Sequence, residues 1–244
     1  LGVRCLVHDP PLREAAIGGP YSDLQDVLKT DIITLHVPLT GSGKYPTRHL
    51  VNEYFLAQLQ PDAILINTSR GGVVDESVLK KSLRQRKFPV VLDVWENEPD
   101  IDRDLLASVA IGTPHIAGYT IDARLRATDM IYRCLCEHLH LPGSWNPGKE
   151  LAHFPAGYVR IDSGDGTQGR LEMAVLSHYD VRSDAAALCQ SRNMKAQAAA
   201  QYFDELRKKY PVRREFPATT VSLSGSDNLL AGVLARLGFR VVRH

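Results

Sequence analysis

No apolar run in this chain approaches the roughly 20 residues that a membrane-spanning helix needs, so nothing in it can form such a span. Charge of one sign is lacking too. Lys and Arg number 29 against 28 Asp and Glu, and a net charge of +1 offers no general attraction to nucleic acid or to an anionic membrane. Cysteine is scarce: Cys5, Cys134, Cys136 and Cys189 stand in no metal-ligand spacing, which excludes a disulfide scaffold and a zinc module. Cys134 and Cys136 are two apart on a predicted helix and point in different directions. The nine histidines make no metal set either, so metal-independent chemistry is expected. With no secretory signal in view, the expectation is a soluble cytoplasmic protein with reduced thiols.

At 244 residues and 44% hydrophobic content the chain can build two modest cores. In the first half, apolar runs of strand length alternate with helical patterns. Strands are predicted near Val3 to Val7, Ile32 to Leu35, Ala63 to Asn67, Val90 to Val94 and Val109 to Ile111. Helices are predicted near Ser22 to Leu28, Asn52 to Leu59 and Glu76 to Arg86. Such alternation argues βαβ units and a parallel sheet. A longer helix follows from Ile121 to about His138. Pro142, Gly143, Ser144, Pro147, Gly148 and Pro155 then break helix and strand alike and mark a linker over 141–155. The remainder, 156–244, reads as a smaller α+β domain, with strands near Tyr158, Thr219 and Arg240 and helices near Arg170 to His178, Ala196 to Lys209 and Asn228 to Leu237. The basic run Arg207, Lys208, Lys209, Arg213 and Arg214 is interleaved with Asp204, Glu205 and Glu215 and reads as a solvated or subunit-facing surface.

Three of the predicted strands share a feature. Ala63–Asn67 discharges into Thr68-Ser69-Arg70-Gly71-Gly72, Val90–Val94 leads into Trp95-Glu96-Asn97-Glu98-Pro99, and Val109–Ile111 leads into Gly112-Thr113-Pro114-His115-Ile116-Ala117-Gly118-Tyr119. An arginine, carboxylates and an imidazole thus stand at the carboxyl ends of successive strands, where open parallel sheets bind their ligands. Abstraction of a hydroxyl proton during hydride transfer needs a base that titrates near working pH, and His115 is the candidate. A guanidinium at Arg70 can grip a substrate carboxylate with paired hydrogen bonds and polarise a developing carbonyl oxygen.

The order Asn-x-Ser-Arg-Gly, Asp-Val-x-x-x-Glu-Pro and Pro-His-Ile-x-Gly resembles the D-isomer-specific 2-hydroxyacid dehydrogenases. That resemblance implies a Rossmann-type domain over 1–140 with NAD as cofactor, and Arg70, Glu98 and His115 as the catalytic set. Glu98, in the Glu-Pro position, is the implied partner of His115, with Asp93 and Glu96 as competing carboxylates. Asp93 is implied to face the nicotinamide. Asp9 is implied to accept from the adenosine ribose hydroxyls, favouring NAD over NADP. Val37, Thr68, Ser69, Arg70 and Gly118 are implied to line the cofactor, and Tyr119 to reach the substrate or its phosphate. The tail, with Tyr179 to Asp184, Phe203 to Tyr210 and Leu237-Gly238-Phe239, resembles the extra carboxy-terminal domain of one branch of the family, which implies a phosphorylated hydroxy acid as substrate and a homodimerisation role for 156–244. The crowded apolar positions Leu229, Leu230, Val233, Leu234 and Leu237 are expected to contribute to that interface.

The glycine-rich turn of a Rossmann fold is expected about 20 residues before the ribose-binding aspartate. Ahead of Asp9 that places it before Leu1, so the first βα unit and the substrate domain are expected to be missing and the chain to be a fragment. Another 2-hydroxyacid dehydrogenase, or an NAD-sensing relative without catalysis, stays open as an alternative.

Overall fold

The computed structural model describes residues 2–162 and 166–244. In chain order its strands are β1 (Ile32–Leu35), β2 (Ile64–Asn67), β3 (Val90–Leu92), β4 (Ile111–Gly112), β5 (Gly157–Ile161), β6 (Thr219–Leu223) and β7 (Arg240–Arg243). The helices are α1 (Pro10–Glu14), α2 (Leu24–Val27), α3 (Glu53–Ala57), α4 (Glu76–Gln85), α5 (Arg103–Leu106), α6 (Ile121–His138), α7 (Pro147–Leu151), α8 (Gly166–His178), α9 (Val181–Cys189), α10 (Ala196–Lys208) and α11 (Asn228–Arg236). No helix among the described residues is long and apolar enough to cross a membrane.

Two compact units form. One joins Gly2–Ala117 with Val181–Lys209, and the other joins Gly118–Asp180 with Tyr210–His244. This division departs from the expected boundaries at 140 and 155. Helix α6 falls in the second unit, while α9 and α10 fall in the first, because Leu188 and Phe203 are fully buried in the first unit's core.

The first unit holds the parallel sheet β1-β2-β3-β4. Its connecting helices begin at side-chain caps: Asn52 accepts the Phe55 N–H at 3.1 Å, Asp75 the Val78 N–H at 3.0 Å, and Asp102 the Leu105 N–H at 3.0 Å. Each such cap stabilises its helix by about 1 kcal/mol. Leu79 and Leu83, four apart on α4, are buried with Leu65 and Val90 of the sheet. The expected strand at Val3 to Val7 is not formed: Val3 is 68% and Val7 50% exposed. A strand exists only against a partner, and although the Ser22 N–H donates to the Val7 carbonyl at 2.7 Å, no described strand pairs with this segment. The edge strand β1 leaves Ile32 exposed in the same way.

The second unit is built on β5-β6-β7, all parallel, with its strands where the sequence placed them. Parallel neighbours require crossovers, and α8 and α11 supply them, burying Leu171, Ala174, Leu230 and Leu234 against Val159, Ile161, Val221 and Leu223. The surplus of apolar residues on α11 is therefore corrected: Val233 and Leu237 pack on this same core, and Leu229 alone of the five stays exposed. Within the expected linker α7 forms, because Asn146 caps Gly148 N–H at 2.8 Å and Pro147 stands at the first helical position, where its missing N–H costs nothing. Of the basic run, Arg214 is an internal tie: it meets Asp122 at 3.0 Å and donates to the Phe154 carbonyl at 2.8 Å. The spacing Gly-x-Gly-x-x-Gly, not found before Asp9, does occur once, at Gly164, Gly166 and Gly169 by the head of α8, with Gly164 outside the described residues.

Phe203 tests the assignment of α10. Phe203→Ala should destabilise the first unit by about 3–5 kcal/mol, and hydrogen exchange should show the lost protection at β2 and β3 amides; loss confined to β5 and β6 would contradict it.

Candidate active site

The site grows from the carboxyl ends of β2, β3 and β4. At the end of β2, Asn67 is fully buried and its side chain satisfies the turn that follows. Its Oδ1 accepts from the Ser69 N–H at 3.1 Å and the Ser69 hydroxyl at 2.7 Å, while its Nδ2 donates to the Arg70 carbonyl at 3.0 Å. Arg70 emerges exposed from this turn, its guanidinium donating to the Ser69 carbonyl at 2.6 Å. Gly71 must be glycine: a Cβ there would stand 1.9 Å from the Trp95 carbonyl oxygen. The turn bearing Arg70 and the loop after β3 thus touch backbone to backbone.

That loop presents Glu98. Its Oε1 accepts the Trp95 N–H at 2.8 Å and its Oε2 lies 2.7 Å from His115 Nδ1. The carboxylate is thereby oriented at one oxygen and orients the imidazole with the other. Of the three carboxylates weighed as partners of His115, Glu98 makes the contact, whereas Glu96 lies 2.5 Å from His49 Nε2. His49 Nδ1 in turn lies 3.5 Å from Asp75.

Asp93, directly after β3, is tied into the turn after β4. It is 2% exposed, and both its oxygens serve the turn after β4: Oδ1 accepts from the Thr113 hydroxyl at 2.6 Å and the Ile116 N–H at 2.8 Å, and Oδ2 from the Ala117 N–H at 3.0 Å. The His115 N–H donates to the Asp93 carbonyl at 2.7 Å. His115 itself has φ of 56°, a left-handed conformation costing a non-glycine residue about 1–2 kcal/mol. Asp93 supplies the bonds that hold the ring-bearing residue there. Adjacent strands lie about 5 Å apart, so the ends of β2 and β4, which lead to Arg70 and His115, are roughly 10 Å apart, and β3, which leads to Glu98, lies between them.

The remaining expected residues divide. Ser69 is buried and spends its hydroxyl on Asn67, Thr68 is half-buried beside it, and Val37 packs against the core. Asp9 caps α1, accepting the Leu12 N–H at 2.9 Å through Oδ1 and leaving Oδ2 outside the cap. Gly118 and Tyr119 belong to the second unit, where Tyr119 packs edge-on against Tyr210 at 5.8 Å with the Arg124 guanidinium over its ring.

Sequence reasoning missed three participants. Trp95 is buried and donates from its indole to the Thr113 carbonyl at 3.0 Å, tying the Glu98 loop to the His115 turn. His49, also left-handed at φ 52°, donates its N–H to the Gly72 carbonyl at 2.8 Å. Glu76, at the first position of α4 and 5% exposed, accepts the Glu96 N–H at 2.7 Å. Burial first, and then the nearby carboxylates of Glu96, Asp102 and Glu98 against the opposing Glu96 N–H bond, push its carboxyl up to about 7. An acid at a helix start reads as an ordinary first-turn residue, so nothing local in the sequence marks this contact.

Residues 1–117 match the family described as D-isomer specific 2-hydroxyacid dehydrogenase, NAD binding domain, and residues 152–238 match a domain of unknown function, DUF3410. Erythronate-4-phosphate dehydrogenase of Hahella chejuensis is 43% identical over 242 residues, covering 99% of this chain and 63% of that protein. The enzyme of the same name from Pseudomonas putida (strain F1) is 40% identical over 240 residues, 98% of this chain and 63% of that protein. This chain therefore spans about 63% of the length of these relatives. A solved D-lactate dehydrogenase from Aquifex aeolicus, complexed with NAD and lactic acid, is 29% identical over 56% of this chain and 45% of its own, with a TM-score of 0.42.

Two predictions rest on the buried carboxylates. Asp93→Ala leaves three donors without their acceptor and should cost about 2–4 kcal/mol in chemical denaturation, with amide exchange at Ile116 and Ala117 accelerating before that of β2. For Glu76, both states hold the proton below its ordinary value of 4.5, and between there and about 7 only the folded state keeps it. Its contribution is thus lost as pH rises through that window. Relative to Glu76→Gln, the unsubstituted protein should lose about 3 kcal/mol of stability between pH 4 and pH 8; parallel stability–pH curves for the two would refute the shift.

Proposed function

We propose that this chain is part of a D-isomer-specific 2-hydroxyacid dehydrogenase, whose NAD-binding-domain family matches residues 1–117, and that the whole protein serves the NAD-dependent oxidation of 4-phospho-D-erythronate to 3-hydroxy-2-oxo-4-phosphooxybutanoate, a step of pyridoxal 5′-phosphate synthesis. The substrate is the one for which its relatives are named. The observation that carries the reading is the 2.7 Å contact of His115 Nδ1 with Glu98, beside an exposed Arg70 on a neighbouring strand end.

Bound nicotinamide supplies the hydride acceptor for the carbon bearing the hydroxyl. His115 takes the hydroxyl proton at Nε2, the nitrogen that Glu98 leaves available. Glu98 holds the other ring nitrogen as an N–H, selects that tautomer and stabilises the imidazolium that forms. Arg70 binds the substrate carboxylate and draws electron density onto the developing carbonyl oxygen. The product is the 2-oxo acid, with one hydride delivered and one proton left on His115.

The donor set suits NAD: the Asp9 oxygen outside the helix cap can accept from ribose hydroxyls, and its charge would repel a 2′-phosphate. The turn at Thr68 and Ser69, Val37 and Gly118 belong to the same cofactor reading, and Tyr119 is assigned to the substrate side. Asp93 acts through the turn it holds. A cytoplasmic homodimer, assembled through the second unit, completes the reading; free thiols at Cys5, Cys134, Cys136 and Cys189 suit a reducing compartment.

In the full-length enzyme, His115→Gln should lower kcat roughly 10²- to 10⁴-fold with KM little changed. Arg70→Ala should raise KM and lower kcat together. Steady-state kinetics with 4-phospho-D-erythronate and NAD test both, and near-normal turnover of His115→Gln across pH would assign the base elsewhere. Asp9→Ala should weaken NAD and narrow its advantage over NADP.

A further inference from the structure

The Glu98 loop is held at more points than its own sequence explains. Its Trp95 carbonyl abuts Gly71, its Trp95 indole reaches Thr113, and its Glu96 N–H is taken up by the buried Glu76 side chain. The acceptor for that N–H is Glu76, at 2.7 Å. Glu96's own side chain is drawn the other way, to His49 at 2.5 Å. Residue 96 is thus gripped at backbone and side chain by α4 and by the segment after β1, two residues from Glu98. A buried carboxylate at a helix start is an expensive way to satisfy one amide, and here the amide belongs to the loop that orients the imidazole.

We propose that Glu76 is a positioning residue for the dehydrogenase reaction: through the Glu96 N–H it sets the loop so that Glu98 meets His115 Nδ1. This rests on the function proposed above. The role needs an acceptor at the reach of a glutamate side chain. Glutamine meets that need, aspartate falls one methylene short, and alanine has none.

The test uses the full-length protein with two readouts. The first is the low-field imidazole N–H resonance of His115 bonded to Glu98, assigned by its loss in His115→Gln. The second is the kcat and KM pair for 4-phospho-D-erythronate with NAD. Glu76→Ala should broaden or abolish the resonance and lower kcat about tenfold to a hundredfold while KM moves less than threefold, and Glu76→Gln should restore both. Should the alanine variant fail to fold, Glu76→Asp carries the test, with the same losses in smaller measure. An undisturbed resonance and kcat in Glu76→Ala or Glu76→Asp would overturn the positioning role. Resonances that change as expected in a protein without dehydrogenase turnover would support the positioning geometry and overturn the reaction assigned to it.

Discussion

The candidate site depends on one buried carboxylate. Asp93 ends β3 and accepts three hydrogen bonds from the turn after β4, so two neighbouring strands are joined at the point where the crevice begins. A left-handed His115 is unfavourable on its own, and three charge-assisted bonds outweigh that cost several times over. Without them the turn would relax toward an ordinary conformation and the ring would leave Glu98. Asp93 is thus tied to the turn that carries His115.

Around this anchor the arrangement is a set of backbone contacts that leave little freedom. Gly71 lets the Arg70 turn press on Trp95, Gly112 lets the Trp95 ring lie over β4, and Asn67 closes its own turn from within the core. Arginine, carboxylate and imidazole come from separate segments, yet each rests on the next. In the proposed reaction, preorganisation of this kind would align the reacting groups before substrate arrives, so less ordering would remain for the reaction itself.

The two units also illustrate how chain order and packing diverge. Helices α9 and α10 follow the second unit's first βα element in sequence, but Leu188 and Phe203 complete the first unit's core. Helix α6 follows the His115 turn directly, and Asp122 near its start binds Arg214 within the second unit. Burial in that unit would raise the Asp122 carboxyl, but the Arg214 guanidinium and the Glu215 N–H outweigh it and hold it below its usual range.

Local periodicity was sufficient in sequence for β1 to β4 and for α4 and α6, and the three strand-end motifs singled out Arg70, Glu98 and His115 as candidates, because those signals lie in short contiguous stretches. The family resemblance made Glu98 the preferred partner of His115, but the contact itself required the fold. Tertiary structure alone decided the duty of Asp93, since a strand-end aspartate reads the same whether it faces a ligand or a turn. It alone decided that Val3 to Val7 forms no strand, because strand formation depends on a neighbour that no local pattern encodes. The burial of Glu76 and the grip of His49 on Glu96 likewise join residues 20 to 47 positions apart. Spacing within a segment records which face a side chain takes, whereas contacts between segments arise only when the sheet brings their ends together.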